Sequence, residues 1–561
     1  MEKLKLEAVG LITSLFFGIS AALAQTVQDY QINNSISPNG FESITSPRFS
    51  ADGENVIYAI KLNSSGLQLG DFVSLHSAST LNSGTQARIG PNLPNAILTS
   101  TLVASDDLNS VGIRLPNDPS NLLGGVLYSV PLDGTDAVFI AEQIGGIGTQ
   151  VRLNSQGTEF FFNARVAPND PNNEVVGLLR RDIDASNPSI RVDTQPGNET
   201  DFVDFDFGLT DNDSHAIYGS RGDELYAANL STGNVARLDI DGINPLLAAF
   251  GIERFAVSNS SSRVAYLSPL DNQNAGVPFD FELFSTRLDG SERIQLSGDG
   301  TIVRNFVLSS DETKLVYLAD EQTTGVFELF VIPLDGGPSA KINAPLGPNE
   351  EISSTQGFRT SDNGNFIVYS VRNTSTNQTS TFISQLSNLS NRFQLPNTPT
   401  SGTELSYNEQ GDLAAYASAV SISPPPFQII LNVGNPASGS FDQFQLPEGI
   451  ESVQQLEFLN DNILLFTAEE PSGSSFDRRL FAYSVAERQL LQLSRPAVSG
   501  SRGVSQYWVL ENSNRIAYLG DMNHNFRTEL FALDTSQIQF ESSDLCFPII
   551  SVSGGAAVIC L

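Results

Sequence analysis

Short apolar runs ending in an aromatic residue recur along the chain, each entered through a polar turn. The runs are Val56-Ile57-Tyr58, Phe160-Phe161-Phe162, Ala216-Ile217-Tyr218, Val264-Ala265-Tyr266 and Leu315-Val316-Tyr317. They continue as Ile367-Val368-Tyr369, Ala414-Ala415-Tyr416, Leu464-Leu465-Phe466 and Ile516-Ala517-Tyr518, with Val111-Gly112-Ile113 a weaker member. Their spacing is roughly 50 residues, a period that signals a propeller or array. Seven of the thirteen tyrosines fall at this one position, as a packed repeat requires when each unit needs a bulky group at the same depth. The preceding turns are of the type Ser50-Ala51-Asp52-Gly53 or Ser361-Asp362-Asn363-Gly364, residues that tolerate positive φ or bond their own backbone. Before each turn lies another short apolar strand, such as Phe306-Val307-Leu308.

After a variable polar loop comes a third strand with the motif Glu-Leu-aromatic: Glu224-Leu225-Tyr226, Glu282-Leu283-Phe284, Glu328-Leu329-Phe330 and Glu529-Leu530-Phe531. A turn such as Asp289-Gly290 and a fourth short strand such as Arg293-Ile294-Gln295-Leu296 close the unit. Each unit therefore reads as a four-stranded antiparallel meander. One meander cannot bury both faces, but stacked meanders closed into a ring can. Helical periodicity is nearly absent, and only residues 244–255 admit a helical turn. The pattern predicts an all-β fold: a β-propeller of about ten four-stranded antiparallel blades over residues 46–540, as one large ring or two smaller rings in tandem.

The run Pro47-Arg48-Phe49-Ser50-Ala51-Asp52-Gly53, with the apolar strand ending at Tyr58, resembles the PxFSPDG (PD40-type) repeat of TolB-like β-propellers. Residues 314–337, KLVYLADEQTTGVFELFVIPLDGG, carry the same resemblance. The resemblance implies a fold far more than a function. Such propellers usually close with six to eight blades, and ten repeats depart from that. Relatives include periplasmic binding propellers and the propeller halves of prolyl-oligopeptidase-like enzymes. Peptidase chemistry is not expected here, because no GxSxG elbow and no α/β region accompany the repeats.

Residues 1–24 read as a secretory signal. Lys3 and Lys5 open it, an apolar run covers 8–23, and Ala22-Leu23-Ala24 is a small-x-small cleavage site. The expected location is therefore outside the cytoplasm, periplasmic or extracellular. The run is short for a membrane span, so no stable membrane insertion is expected. Within residues 25–45, Asp29-Tyr30-Gln31-Ile32 looks like a strand without its own blade, suited to completing a terminal blade and locking the ring. Net charge is −33, which repels phosphate backbones and argues against nucleic acid as a partner. The two cysteines, Cys546 and Cys560, flank an apolar segment with a Gly554-Gly555 turn, so residues 541–561 are expected to form a disulfide-stapled hairpin. Closing so short a loop contributes about 3 kcal/mol in the chain-entropy model.

Candidate chemistry is sparse. Asp521, Asn523 and Asn525 alternate as oxygen ligands of a calcium loop do, with Glu529 eight residues after Asp521; Asp320 and Glu328 repeat that offset. Asp271, Asn272 and Asn274 precede Glu282 similarly. An EF-hand glycine is lacking, Phe526 standing in its place, and the glutamates belong also to the repeat motif. The three histidines, His76, His215 and His524, show no metal-ligand spacing. Arg221-Gly222-Asp223 reads as an inter-strand turn, Ser423-Pro424-Pro425-Pro426 as a stiff projecting loop, and Trp508 as a core residue. The leading expectation is a non-enzymatic scaffold that holds a protein or a cell-envelope polymer on its loop face, the face shared by the long polar loops between second and third strands. The alternatives are an exported hydrolase or lyase with carboxylates or a divalent cation at the propeller mouth, and a calcium-binding structural surface protein.

Overall fold

The computed structural model describes the chain except residues 1–28, 32–41, 63–72, 82–86, 94–100, 119–120, 132–136, 145–150, 166–175, 194–202, 221–223, 240–254, 259–261, 270–279, 354–356, 362, 400–404, 422–426, 473–474, 496–501, 511, 523–527, 541–545, 551–555 and 561. The stretch 244–254, His524, Arg221-Gly222-Asp223, the Ser423–Pro426 loop and Asp271, Asn272 and Asn274 thus lie outside the described residues, as does the signal segment.

Hydrogen bonding groups the strands into ten successive meanders spanning 42–93, 101–144, 151–191, 203–237, 255–295, 303–341, 350–394, 406–445, 452–492 and 504–534. We number these blades 1 to 10 and letter the strands A to D from the inside outward. Blades 2 and 3 are joined by one ladder pair, Ala164 with Ile144, and blades 5 and 6 by another, Phe281 with Val303. In blade 7 strand A is broken into Glu350–Ile352 and Phe358–Thr360, both paired with Phe366–Asn373. Blade 10 draws strands A to C from Val504–Leu510, Arg515–Gly520 and Glu529–Asp534. Its strand D is Asp29–Gln31, with Asp29 opposite Leu533 and Gln31 opposite Phe531.

Strand B shows why the apolar runs are continuous. Successive side chains point to opposite faces, and both faces of a blade are covered by neighbours. In blade 6, Leu315, Tyr317 and Ala319 pack toward Leu267 and Leu283 of blade 5, while Val316 and Leu318 pack toward Ile367 and Tyr369 of blade 7. An apolar cluster fills each interface in turn around the molecule. The circuit closes where Ile44, Val56 and Tyr58 of blade 1 meet Leu530 and Ala532 of blade 10. Two rings in tandem would return blade 5 to blade 1; instead blade 5 packs on blade 6. The molecule is one ten-bladed ring.

The recurrent tyrosine meets an aromatic residue of strand C across the B–C ladder, in blades 5, 6 and 10 the one that ends the Glu-Leu-aromatic motif. Tyr266 lies opposite Phe284, Tyr317 opposite Phe330, Tyr369 opposite Phe382 and Tyr518 opposite Phe531. The ring centroids of these pairs are 5.8, 5.8, 5.6 and 5.1 Å apart. Such pairs add about 0.5–1.5 kcal/mol beyond the area they bury. Blade 8 departs: Tyr416 faces Asn432 and takes Phe441 of strand D as its ring partner.

The A–B turns form a belt on one face. A serine at the end of strand A accepts the N–H five residues on, as in Asn55 to Ser50 and Lys314 to Ser309, each 3.0 Å. Neighbouring turns then bond to each other: Asn512 Nδ2 to Ala51 O at 2.7 Å, Ala51 N to Asp106 O at 2.7 Å, and Ser155 N to Asp213 Oδ2 at 2.8 Å. Ser310 Oγ to Ser361 O at 3.0 Å continues the pattern. The Ser50 hydroxyl and the Glu54 amide hold the Asp52 carboxyl below its ordinary range, and Ser105 and Asn109 do the same for Asp107. A carboxyl with a depressed folded pKa adds stability that is complete above its unfolded pKa and is lost as pH falls through the folded value. The unfolding midpoint is therefore expected to be level above about pH 5 and to fall below about pH 4. Scanning calorimetry from pH 7 to pH 2 checks this, and a midpoint that rises on acidification would contradict it.

Among the described residues, strands Cys546–Ile550 and Ala556–Cys560 pair only with each other, and Cys546 stands opposite Cys560 in register. We expect the unreduced, denatured chain to resist alkylation at both cysteines and the reduced chain to take two labels. Mass spectrometry checks this, and two labels without reductant would contradict it.

Candidate functional site

On the A–B-turn face a cleft of about 940 Å³ opens among blades 8, 9 and 10. Its cause is irregularity in two inner strands. Strand A of blade 8 is only Ser406–Tyr407. Strand A of blade 9, Ser452–Asn460, slips register against strand B between Gln454 and Glu457 and again between Phe458 and Asn460. Gln455 sits at φ 49° in the first bulge. Bulges bend a strand and re-aim its side chains, and they concentrate beside functional sites.

The bulge is pinned from blade 10. The Tyr507 hydroxyl donates to Gln455 O and, at 3.2 Å, to Leu465 O. Burial raises the Tyr507 pKa well above its ordinary value, so the group stays a donor. Phe458 N donates to Ser406 Oγ of blade 8 at 3.2 Å. The walls carry Glu409, Glu457 and Asp461 against one cation, Arg515, with Phe458, Leu459 and Val509 as apolar lining. Asp461 is oriented by blade 8: Asn408 Nδ2 donates to Oδ1 at 2.9 Å and Gln410 Nε2 to Oδ2 at 3.0 Å. The arrangement can take a positively charged group against carboxylates while covering an apolar one. Sequence reading missed it, because its acidic residues come from separate blades and the signal is a bulge.

The residues singled out as calcium ligands fall in two pairs, each at one end of a B–C ladder: Glu328 stands opposite Ala319, the neighbour of Asp320, and Glu529 opposite Gly520, the neighbour of Asp521. Asp320 and Glu328 lie in blade 6, Asp521 and Glu529 in blade 10, and Asn523 and Asn525 are outside the described residues. Asp320 accepts Ile302 N at 2.8 Å and Gly325 N at 2.9 Å. Asp521 accepts Arg502 N at both carboxylate oxygens, 2.9 Å each. Glu328 pairs with Lys341, and Glu529 accepts Gln31 Nε2 at 3.0 Å. Glu224 with Arg237 and Glu282 with Gln295 repeat this link from the start of strand C to strand D. These contacts give the carboxylates a structural task. Among the described residues no three His, Cys, Asp or Glu side chains form a metal-binding group. A calcium role requires millimolar calcium to raise the melting midpoint, and an unchanged midpoint would reject it.

His76 stacks on Tyr58, with centroids 5.9 Å apart. His215 contacts Ser214 Oγ at 2.9 Å and Asn229 Nδ2 at 3.3 Å. Burial lowers its pKa and outweighs the opposing pull of Asp289. Trp508 packs on Phe49 at the junction of blades 10 and 1. One repeat feature escaped the sequence reading altogether. A polar residue fourteen positions after the motif leucine caps that leucine's N–H: Asp239 for Leu225 and Asn343 for Leu329 at 2.7 Å, Ser297 for Leu283 and Ser494 for Leu480 at 3.1 Å. The constant offset was the available signal, hidden because Asp, Asn and Ser all serve.

No protein-family model and no curated protein matches the chain. Solved structures similar to it include an oligogalacturonate lyase from Vibrio parahaemolyticus, at 9% identity and a TM-score of 0.33, covering 78% of this chain and 96% of that one. The β-propeller domain of the Trilobed protease from Pyrococcus furiosus, described as having an open velcro topology, is 13% identical with a TM-score of 0.28, over 61% and 95% of the two chains. A prolyl endopeptidase is 12% identical with a TM-score of 0.34, over 70% of this chain and 54% of its own. The assignment of this chain as a β-propeller rests on its own sheet order and on the interfaces that close its ring.

Proposed function

We propose that this chain is an exported, non-enzymatic binding scaffold whose partner, a protein or a cell-envelope polymer, is held on the A–B-turn face. The observation that carries the reading is the cleft among blades 8 to 10, a concavity of ligand-binding size set in a closed ring. The resemblance of the repeats to TolB-like propellers supports the same class of function, and the leader-like N-terminal sequence supports export. This departs from the sequence expectation of the B–C-loop face, which lies opposite, because a meander places A–B and C–D turns at one end and B–C loops at the other.

Photo-crosslinking in the source cells tests the proposal. A crosslinker at Glu409, on the cleft, is expected to capture one recurrent partner. The same group at Thr324, on the B–C loop of blade 6, and at Gln445, on an outer strand, is expected not to. Capture from Thr324 alone would move the binding surface to the opposite face, and equal capture from all three would remove it.

A further inference from the structure

Resting on the binding reading above, we infer that the cleft's occupant is an extended basic peptide segment in which lysine or arginine alternates with apolar residues. Charge complementarity is the first argument. Three carboxylates, Glu409, Glu457 and Asp461, and one guanidinium, Arg515, line the walls of a single concavity. The whole chain, at net −33, reinforces that field and steers cations toward it. An anionic polymer meets repulsion at both scales.

The second argument is the mixture of surfaces. Phe458, Leu459 and Val509 are half-buried, and they stand beside the acids rather than apart from them. A bare polyamine would leave this apolar wall wet, whereas an alternating peptide covers it with every second side chain and sends the others to the carboxylates. The third argument is preorganisation. The amides of Asn408 and Gln410 each hold one oxygen of Asp461, so the acceptor is fixed before a ligand arrives, and little rotamer freedom remains to be lost on binding.

Fluorescence anisotropy on the full-length chain tests the inference with two labelled probes, an alternating leucine–lysine heptapeptide and its leucine–glutamate counterpart, and with unlabelled spermidine as competitor. The lysine peptide is expected to bind saturably and more weakly as salt rises, and the glutamate peptide not to bind. Glu409→Gln and Asp461→Asn together are expected to weaken binding about tenfold. Glu448→Gln, an exposed acid between blades 8 and 9 at the other end of the strands, is expected to change nothing. The two cleft variants are also measured singly, so that a folding defect in one does not decide the result. Equal binding of the glutamate peptide, an equal loss from Glu448→Gln, or displacement of the peptide by an equal charge concentration of spermidine would each overturn the inference. If crosslinking at Glu409 captures a partner while the lysine peptide does not bind, the binding ring stands and this ligand class falls.

Discussion

Replacing Gly503 by alanine is expected to lower the stability of the ring by about 3 kcal/mol, by prising blade 10 from blade 9. Gly503 opens strand A of blade 10 at φ +73° and forms a parallel bridge to Arg478 on strand C of blade 9. The contact is stitched by Arg478 N donating to Arg502 O at 3.0 Å, and within blade 10 Asp521 N donates to Gly503 O at 3.2 Å. A Cβ on Gly503 would stand 2.1 Å from Arg478 O, a backbone atom that cannot swing away. Two costs then combine: an L-residue in the left-handed region and a main-chain collision. Arg478 also holds Glu469, with Nη2 2.5 Å from Oε1, so any shift of its backbone disturbs that ion pair. Gly233 separates the two costs. It has the same φ, +73°, with nothing within 4 Å of its would-be Cβ, so Gly233→Ala is expected to cost only about 1 kcal/mol. Urea midpoints of the two variants decide the matter. Equal midpoints would show that the close approach of blades 9 and 10 is not a constraint.

The second large effect is expected at the seam where the two ends of the chain meet. Asp29→Ala should destabilise blade 10 by about 2 kcal/mol and release the N-terminal strand from it. Asp29 is 7% exposed in its side chain and stands between two donors. Arg495 of blade 9 reaches it with Nη2 at 2.6 Å and Nε at 2.9 Å, and the Tyr518 hydroxyl donates to its other oxygen. The same guanidinium lies over the Phe531 ring, 4.7 Å from the centroid. Truncation thus leaves a half-buried cation and a buried hydroxyl without their shared acceptor. The figure is set below that of a fully buried pair because Arg495 is 32% exposed. Losing strand D would bare the edge of Glu529–Asp534, a template for pairing with another chain. Hydrogen exchange should therefore quicken at Leu530 to Leu533 while blades 5 and 6 keep their protection, and dimers should appear at high concentration. Asp29→Asn, which keeps an acceptor, should fall between. Unchanged exchange in Asp29→Ala would remove the seam from the account.

How far the sequence could be read follows from which features are built from the same residue type in every blade. Strand B and the Glu-Leu-aromatic strand were legible because tyrosine meets its aromatic partner at one depth in blade after blade, as at Tyr266 with Phe284 and Tyr317 with Phe330. The link from the motif glutamate to strand D was not legible, since its partner changes from Arg237 to Gln295, Lys341 and Gln31. Without that link, the eight-residue offsets of Glu328 from Asp320 and of Glu529 from Asp521 left a calcium ligand and a strand-linking carboxylate indistinguishable in the sequence. One ring or two could not be told from the residues, because the interface of Tyr58 with Leu530 is made of the same apolar types as every other. The cleft was hidden for a different reason: a two-residue strand at Ser406–Tyr407 and a bulge at Gln455 are outcomes of packing, not of periodicity.

Cysteines placed at Ala51 and Asn512, in a chain whose own Cys546 and Cys560 are replaced by serine, provide the most direct measurement. These turn residues belong to blades 1 and 10 and touch through Asn512 Nδ2 and Ala51 O at 2.7 Å. A short bismaleimide should bridge them within one molecule at high dilution and give a faster-migrating looped chain on a denaturing gel. Absence of that loop, while a control pair across the turns of blades 6 and 7 at Ser310 and Asn363 does bridge, would contradict a single closed ring.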